Sequence, residues 1–248
     1  MKKIVASLLL LFCVVALPVF GEGTKESAED YTLHVYAGAG MSKPVKRLVA
    51  AFEAQSDYDV DLTLANFGQI VSQINTSGIG DVFICASHQD LNSIQDSVDS
   101  VDDLAQHKVV FAVQKGNPKG INSIQDLQRS DVTVVLGNSS TAAGKIGDKI
   151  LADCGLTDKI NVIARQTTAA TIYTALERGE CDAMLNWKNN AGDAALILDT
   201  DLTDKYTRII CAAGLKASEN ESAKSQLIDF LKSEEAIKIW ESEGYERL

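Results

Sequence analysis

Positive charge is scarce in this chain. Its 23 lysines and arginines stand against 34 aspartates and glutamates, a formal net charge of −11. That balance argues against nucleic acid or anionic lipid as a partner, so any anion the chain binds must be held by local donors. Ligand sets for metals are also missing. His34, His88 and His107 are scattered, and Cys85, Cys154, Cys181 and Cys211 show no CxxC or Cys/His spacing, which leaves the common metal frameworks without their ligands. GxSxG and HExxH do not occur. GNSSTAAGK at 137–145 has neither the Walker spacing nor the hydroxyl after the lysine. Ser87-His88 has no orienting acid that the sequence identifies, so an enzyme would lack a nameable nucleophile and base. There is no low-complexity tract or short-period repeat, and beyond Leu17 no run is apolar enough to span a membrane.

What is present begins with an export signal. Lys2 and Lys3 precede an apolar run from Ile4 to Leu17, then Val19-Phe20-Gly21 and the polar stretch EGTKESAED. This pattern predicts a secretory signal peptide over residues 1–21, cleaved after Gly21, with 22–30 as a spacer. The run is too short for a permanent anchor, and bulky Phe12 disfavours lipidation at Cys13. Cleavage leaves 227 of the 248 residues and a charge of −13, enough chain for two lobes that each bury a core. Buried small side chains are the plainer reading of the cysteines, while export leaves a Cys154–Cys181 bridge open.

Strands and helices alternate along the mature chain. YTLHVYAG at 31–38 reads as a strand. A helix follows with Ser42 as its N-cap, Pro44 in the first turn and a stripe of Val45, Leu48, Val49 and Phe52. DYDVDLTLA is a second strand, Gly68 to Asn75 a short helix, and DVFICAS a third strand. The alternation then repeats as KVVFAVQ, INSIQDLQ, VTVVLGN, Thr141 to Cys154, INVIA, Thr168 to Arg178 and DAMLNW. RIICAAG and two terminal helices close the chain. The expected architecture is α/β with two lobes and mixed sheets, lobe I being 31–108 plus 208–248 and lobe II 109–207. The lobes would close about crossover strands near 107–114 and 204–212.

Four loops end a strand and begin a helix with small or hydroxyl residues: AGAGMSKP at 37–44, ANFGQ at 65–69, GNSSTAAGK at 137–145 and RQTTAAT at 165–171. Each offers backbone N–H groups at the positive end of a helix, on the strand side where open α/β sheets bind ligands. One such loop is ordinary structure; four across two blocks point to an anion. None of them contains an acidic residue. A fully deprotonated tetrahedral dianion wants donors only, whereas protonated phosphate also wants an acceptor, so molybdate, tungstate or sulfate ranks above phosphate.

VYAGAGMSKPVKRLVAAFE, DVDLTLANFGQIVSQI and GDVFICAS resemble the N-terminal half of periplasmic molybdate-binding proteins. GNSSTAAGKIGDKIL and TTAATIYTALERGECDAMLNWKNNA resemble that family's second-lobe segments in order and spacing. The similarity covers nearly all of the mature chain. It implies a bilobal periplasmic-binding-protein fold without catalysis, and a monomer that carries molybdate or tungstate to the permease of an ABC importer with no cofactor. Carried over position by position, the family's first serine falls on Gly40, flanked by Ala39, Met41 and Ser42. Its second falls on Phe67, leaving Asn66 and the Phe67 and Gly68 amides. Its main-chain donors fall on Ala143 and Ala169, and its tyrosine on Trp187, whose indole N–H is a donor of longer reach. All three side-chain donors have changed. Gly40 also reads as a turn glycine, and Phe67 and Trp187 as packing. Lys145 and Lys188 are candidates for added charge. The other readings are sulfate or an organic anion as cargo, an exported enzyme on the same fold, and a cation receptor, which would need clustered Tyr, His or carboxylate ligands.

Overall fold

The computed structural model describes residues 31–198 and 200–248; the expected signal peptide, its cleavage site and Cys13 lie outside them. β1 (Thr32–Gly38) and β3 (Val82–Cys85) are buried along most of their length, as befits strands covered on both faces. β2 (Asp59–Ala65) runs parallel to β1 on its outer side. The first sheet has the order β2-β1-β3-β10-β4, with β10 (Arg208–Leu215) antiparallel to β3 and to β4 (Val98–His107). The second repeats the plan as β7-β6-β8-β5-β9. Here β6 (Thr133–Gly137) is parallel to β7 (Asn161–Gln166) and β8 (Ala183–Trp187), while β5 (Val109–Gln114) is antiparallel to β8 and β9 (Ala195–Leu198). These are two mixed-sheet α/β lobes, each with its own apolar core.

The chain passes between the sheets twice. Lys108 alone separates β4 from β5, and the short α5 (Thr200–Asp204) precedes the return into β10. Helices α1 (Ser42–Glu53) and α2 (Phe67–Ser77) follow β1 and β2, and α3 (Ala142–Asp153) and α4 (Ala169–Glu177) follow β6 and β7. The last two, α6 (Glu221–Leu231) and α7 (Glu234–Ser242), pack back on the first sheet, where Trp240 is fully buried.

Several local expectations are corrected. Ser42 does not cap α1. A 3-10 turn over Ala39–Met41 leads straight into the helix, and the Ser42 N–H donates to the Ala39 carbonyl, so backbone performs the capping and Ser42 becomes the first helical residue. Helix α2 is longer than Gly68 to Asn75, because Asn66 and Gln69 form a reciprocal capping box at 3.1 and 3.3 Å and Gly78, at φ +61°, ends the helix in the left-handed region. INSIQDLQ forms only a 3-10 turn over Ile124–Gln128. Cys154 and Cys181 are not bridged, and none of the four cysteines is in a disulfide. It is Cys85 and Cys211 that meet, as register partners on β3 and β10 with their sulfurs 3.1 Å apart.

β4 is a strand that its own residues disfavour, since Asp99, Asp102 and Asp103 are poor strand formers. Pairing with β10 along its whole length imposes the conformation. Basic side chains meet its acids: Lys224 of α6 pairs with Asp99, Lys232 with Asp102 at 2.9 Å, and the His88 ring contacts Asp103. A charged outer strand of this kind also resists edge-to-edge association.

Candidate ligand cleft

A cavity of about 740 Å³ opens between the lobes at the carboxyl ends of β1, β2, β7 and β8. Lobe I contributes Gly38 to Ser42 and Ala65 to Phe67, and lobe II contributes Thr141 to Ala143, Thr167 to Ala170, Trp187, Asn189 and Asn190. Of the ten residues expected from the sequence, Ala39, Gly40, Met41, Ser42, Asn66, Phe67, Ala143, Ala169 and Trp187 line this one space; Gly68 does not. The structure therefore brings together four loops spread over residues 37–171 of the sequence.

The start of each helix leaves amides for a guest. At α3, the Thr141 hydroxyl accepts from the Gly144 N–H at 3.1 Å and its carbonyl from Lys145 at 2.9 Å, which leaves the Ala142 and Ala143 amides outside the cap. At α4, Thr168 takes the Thr171 and Ile172 amides, both at 3.2 Å, and leaves those of Ala169 and Ala170. At α2, Asn66 takes the Gln69 and Ile70 amides. Three positive helix ends from two lobes, with the 3-10 turn before α1 opposite, form an anion-favouring pole. Asn186 holds part of this arrangement. It is fully buried on β8 and donates from Nδ2 to the Ala169 carbonyl at 2.9 Å, pinning the first turn of α4.

Gly40 is not a strained turn glycine. Its backbone avoids the left-handed region, and a Cβ placed on it would meet nothing within 4 Å. A serine therefore fits. Gly40→Ser is expected to leave stability within about 0.5 kcal/mol and to tighten anion binding by about 0.5–1.5 kcal/mol through one added hydroxyl donor. Paired titrations of the two proteins measure this, and equal affinities would place Gly40 away from the anion.

Phe67 is 41% exposed at the cleft wall, so it is not packed away as core. Trp187 is almost fully buried and stacks on His107, with ring centres 4.1 Å apart. His107 was not among the expected site residues. It ends β4 at the first passage between lobes, sits also against Tyr245 at 4.9 Å, and lies 3.3 Å from Asn189 Oδ1. Burial lowers its pKa to about 4, with the nearby Arg208 charge acting in the same sense against the Asn189 contact. It is neutral at physiological pH.

The expected lysines do not reach the cleft. Lys145 is exposed on α3, and Lys188 pairs with Glu246, which also meets Lys108 at 2.9 Å beside the first passage between lobes. The cation that does line the cavity is Arg208, another residue the sequence reading passed over. Among the described residues no aspartate or glutamate lines it, and no group of three or more His, Cys, Asp or Glu is placed to hold a metal ion.

Comparison with known proteins shows the family and the fold. The profile of the bacterial extracellular solute-binding protein family matches residues 33–246. A Haemophilus influenzae binding protein is 26% identical over 230 residues, covering 90% of this chain and 94% of that one. Molybdate-binding protein ModA of Mycobacterium tuberculosis is 22% identical over 161 residues, 63% of this chain and 61% of its own. Among solved structures, a substrate-binding domain ascribed to a molybdenum ABC transporter of Clostridium difficile superposes with a TM-score of 0.75 at 19% identity, covering 88% of this chain and 99% of that one.

Proposed function

The chain belongs to the bacterial extracellular solute-binding protein family, and from that premise we propose that it captures a tetrahedral oxyanion, molybdate or tungstate, between its lobes. The observation that carries the reading is the cleft itself: uncapped helix amides from both lobes converge on one space without a facing carboxylate. A dianion is stabilised there by donors that were oriented when the protein folded, so little further ordering is needed on binding. Cation cargo is disfavoured by the same lining, which among the described residues offers no carboxylate or tyrosine.

Capture and release follow from the two passages between lobes. The open cleft admits the anion, amides of the second lobe complete its shell on closure, and the closed form is favoured only by the ligand's preference for it. That form would dock on the permease of an ABC importer, as a monomer exported by its N-terminal signal. An organic anion is the second reading, favoured by the apolar wall that Phe67, Met41 and Trp187 make.

The deciding experiment is calorimetric titration of ligand-stripped protein, residues 22–248, with molybdate, tungstate, sulfate and phosphate, with tryptophan emission followed in parallel. Molybdate or tungstate is expected to bind one to one and to shift the emission of Trp187. Binding of none of the four would replace the inorganic oxyanion with an organic one.

A further inference from the structure

Every arginine of the chain but one pairs with a carboxylate: the other five all reach an aspartate or glutamate oxygen within 4.0 Å. Among the described residues Arg208 has no such partner, although Asp90 senses its charge from beyond ion-pair distance, in a chain with a net charge of −11. Its guanidinium instead lies 5.5 Å from the centre of the Trp187 ring and lines the cleft. An arginine without an ion pair amid so many acids keeps its donors for an anion from outside.

We propose that Arg208 is the specificity-determining residue of the cleft, the group that makes it choose a doubly charged oxyanion over a singly charged one of the same shape. The proposal rests on reading the cleft as an anion site and adds to it the origin of charge selection. Helix amides supply donors of fixed direction but only partial charge. They bind any tetrahedral oxyanion that fits, and lend a modest preference for the second charge. Arg208 carries the one full charge among the described residues lining the cavity, because His107 is neutral and Lys145 and Lys188 stand outside. Its planar fork can engage two oxygens at once, and stacking on Trp187 holds it at the wall beforehand. Its position at the start of β10 places this charge on the second passage between the lobes, so an anion pairing with it also touches the segment about which the lobes close. The guanidinium thus takes over from the hydroxyl side chains that Gly40, Phe67 and Trp187 do not provide.

The test compares tungstate with perrhenate, two tetrahedral oxyanions of nearly equal size that differ by one charge. Wild-type protein, Arg208→Gln and Arg208→Lys are titrated with both, with thermal melts to verify folding. Tungstate affinity is expected to fall about 10- to 100-fold in R208Q, the loss of a charged hydrogen-bond partner. The tungstate-to-perrhenate preference should fall with it, and R208K should recover part of the preference but not the full affinity. If the wild type binds tungstate and R208Q keeps the same preference for it over perrhenate, the Arg208 assignment is overturned while the anion site stands. If the wild type binds neither anion, the inorganic-oxyanion reading fails and the assignment with it. A distorted R208Q would show as a lowered melt, and R208K then decides: equal preference to wild type supports the charge, and none overturns it.

Discussion

Gly144→Ala is expected to cost about 3 kcal/mol or more of stability and to abolish tight anion binding. A Cβ at this position would lie 1.9 Å from the Asn138 carbonyl oxygen and 2.7 Å from that of Gly137. Both obstacles are backbone, so no side chain can rotate away, and overpacking of this kind forces a shift of main chain. What must shift is the first turn of α3 away from the end of β6, and that turn carries the Ala142 and Ala143 amides into the cleft. Gly147 is the control. It lies on the same helix, but its added Cβ would find its nearest neighbour at 3.7 Å, an ordinary contact. Gly147→Ala should be neutral or stabilising by up to about 1 kcal/mol, the usual helix preference for alanine over glycine. Urea unfolding and molybdate titration of both variants measure the contrast; a G144A protein as stable as G147A would show that the loop is far more compliant than its contacts allow.

The second large effect concerns acid. Between about pH 6.5 and 4 the protein is expected to lose stability because of His107. In the fold its pKa is depressed to about 4 from 6.5, so over that interval the unfolded chain takes up a proton that the native state refuses. By linkage, stability is present above the unfolded value and drains away as pH falls toward the folded one, with no further loss from this residue below it. At about 1.4 kcal/mol per unit of pKa, and discounting for the water that still reaches the ring, the effect is about 2 kcal/mol. His107→Phe keeps an aromatic ring on Trp187 and removes the titration. Its stability should therefore fall less than that of the wild type over the same interval, while carboxylates shared by both proteins cancel in the difference. Parallel slopes for the two proteins would mean that His107 is solvated in the native state. Since His107 touches Trp187, tryptophan emission should report the same transition.

The four anion loops were legible because their signals are local. Thr141 and Thr168 cap helices three residues ahead of them, and Asn66 forms its box with Gln69, all within one turn of chain. Small residues at strand ends likewise say where backbone can be approached. Ser42 misled for a related reason: the serine-then-proline pattern matched a helix start, but a 3-10 turn supplied the cap. Gly68 lies on the right helix but does not face the cavity, since a position within a first turn says nothing of which amide points at a guest.

β4 and the two residues it and its partner bring to the cleft were not legible. The sequence of β4 lacks a period-two pattern and holds three aspartates, so it signals solvent rather than strand, and its pairing with β10 joins segments about a hundred residues apart. That pairing sets His107 opposite Arg208 in register and delivers both to the wall that Trp187 completes. Neither side chain is marked by its neighbours in the chain.

The amino-acid sequence by itself determined where α3 and α4 begin, how two α/β blocks alternate and which loops carry free amides, because capping, periodicity and small-residue turns act over a few residues. Only the tertiary structure decided which charge stands in the cleft, that His107 there is neutral, and that Lys145 and Lys188 are elsewhere. Long-range strand pairing and burial govern these properties, and they depend on residues that meet only once both lobes have formed.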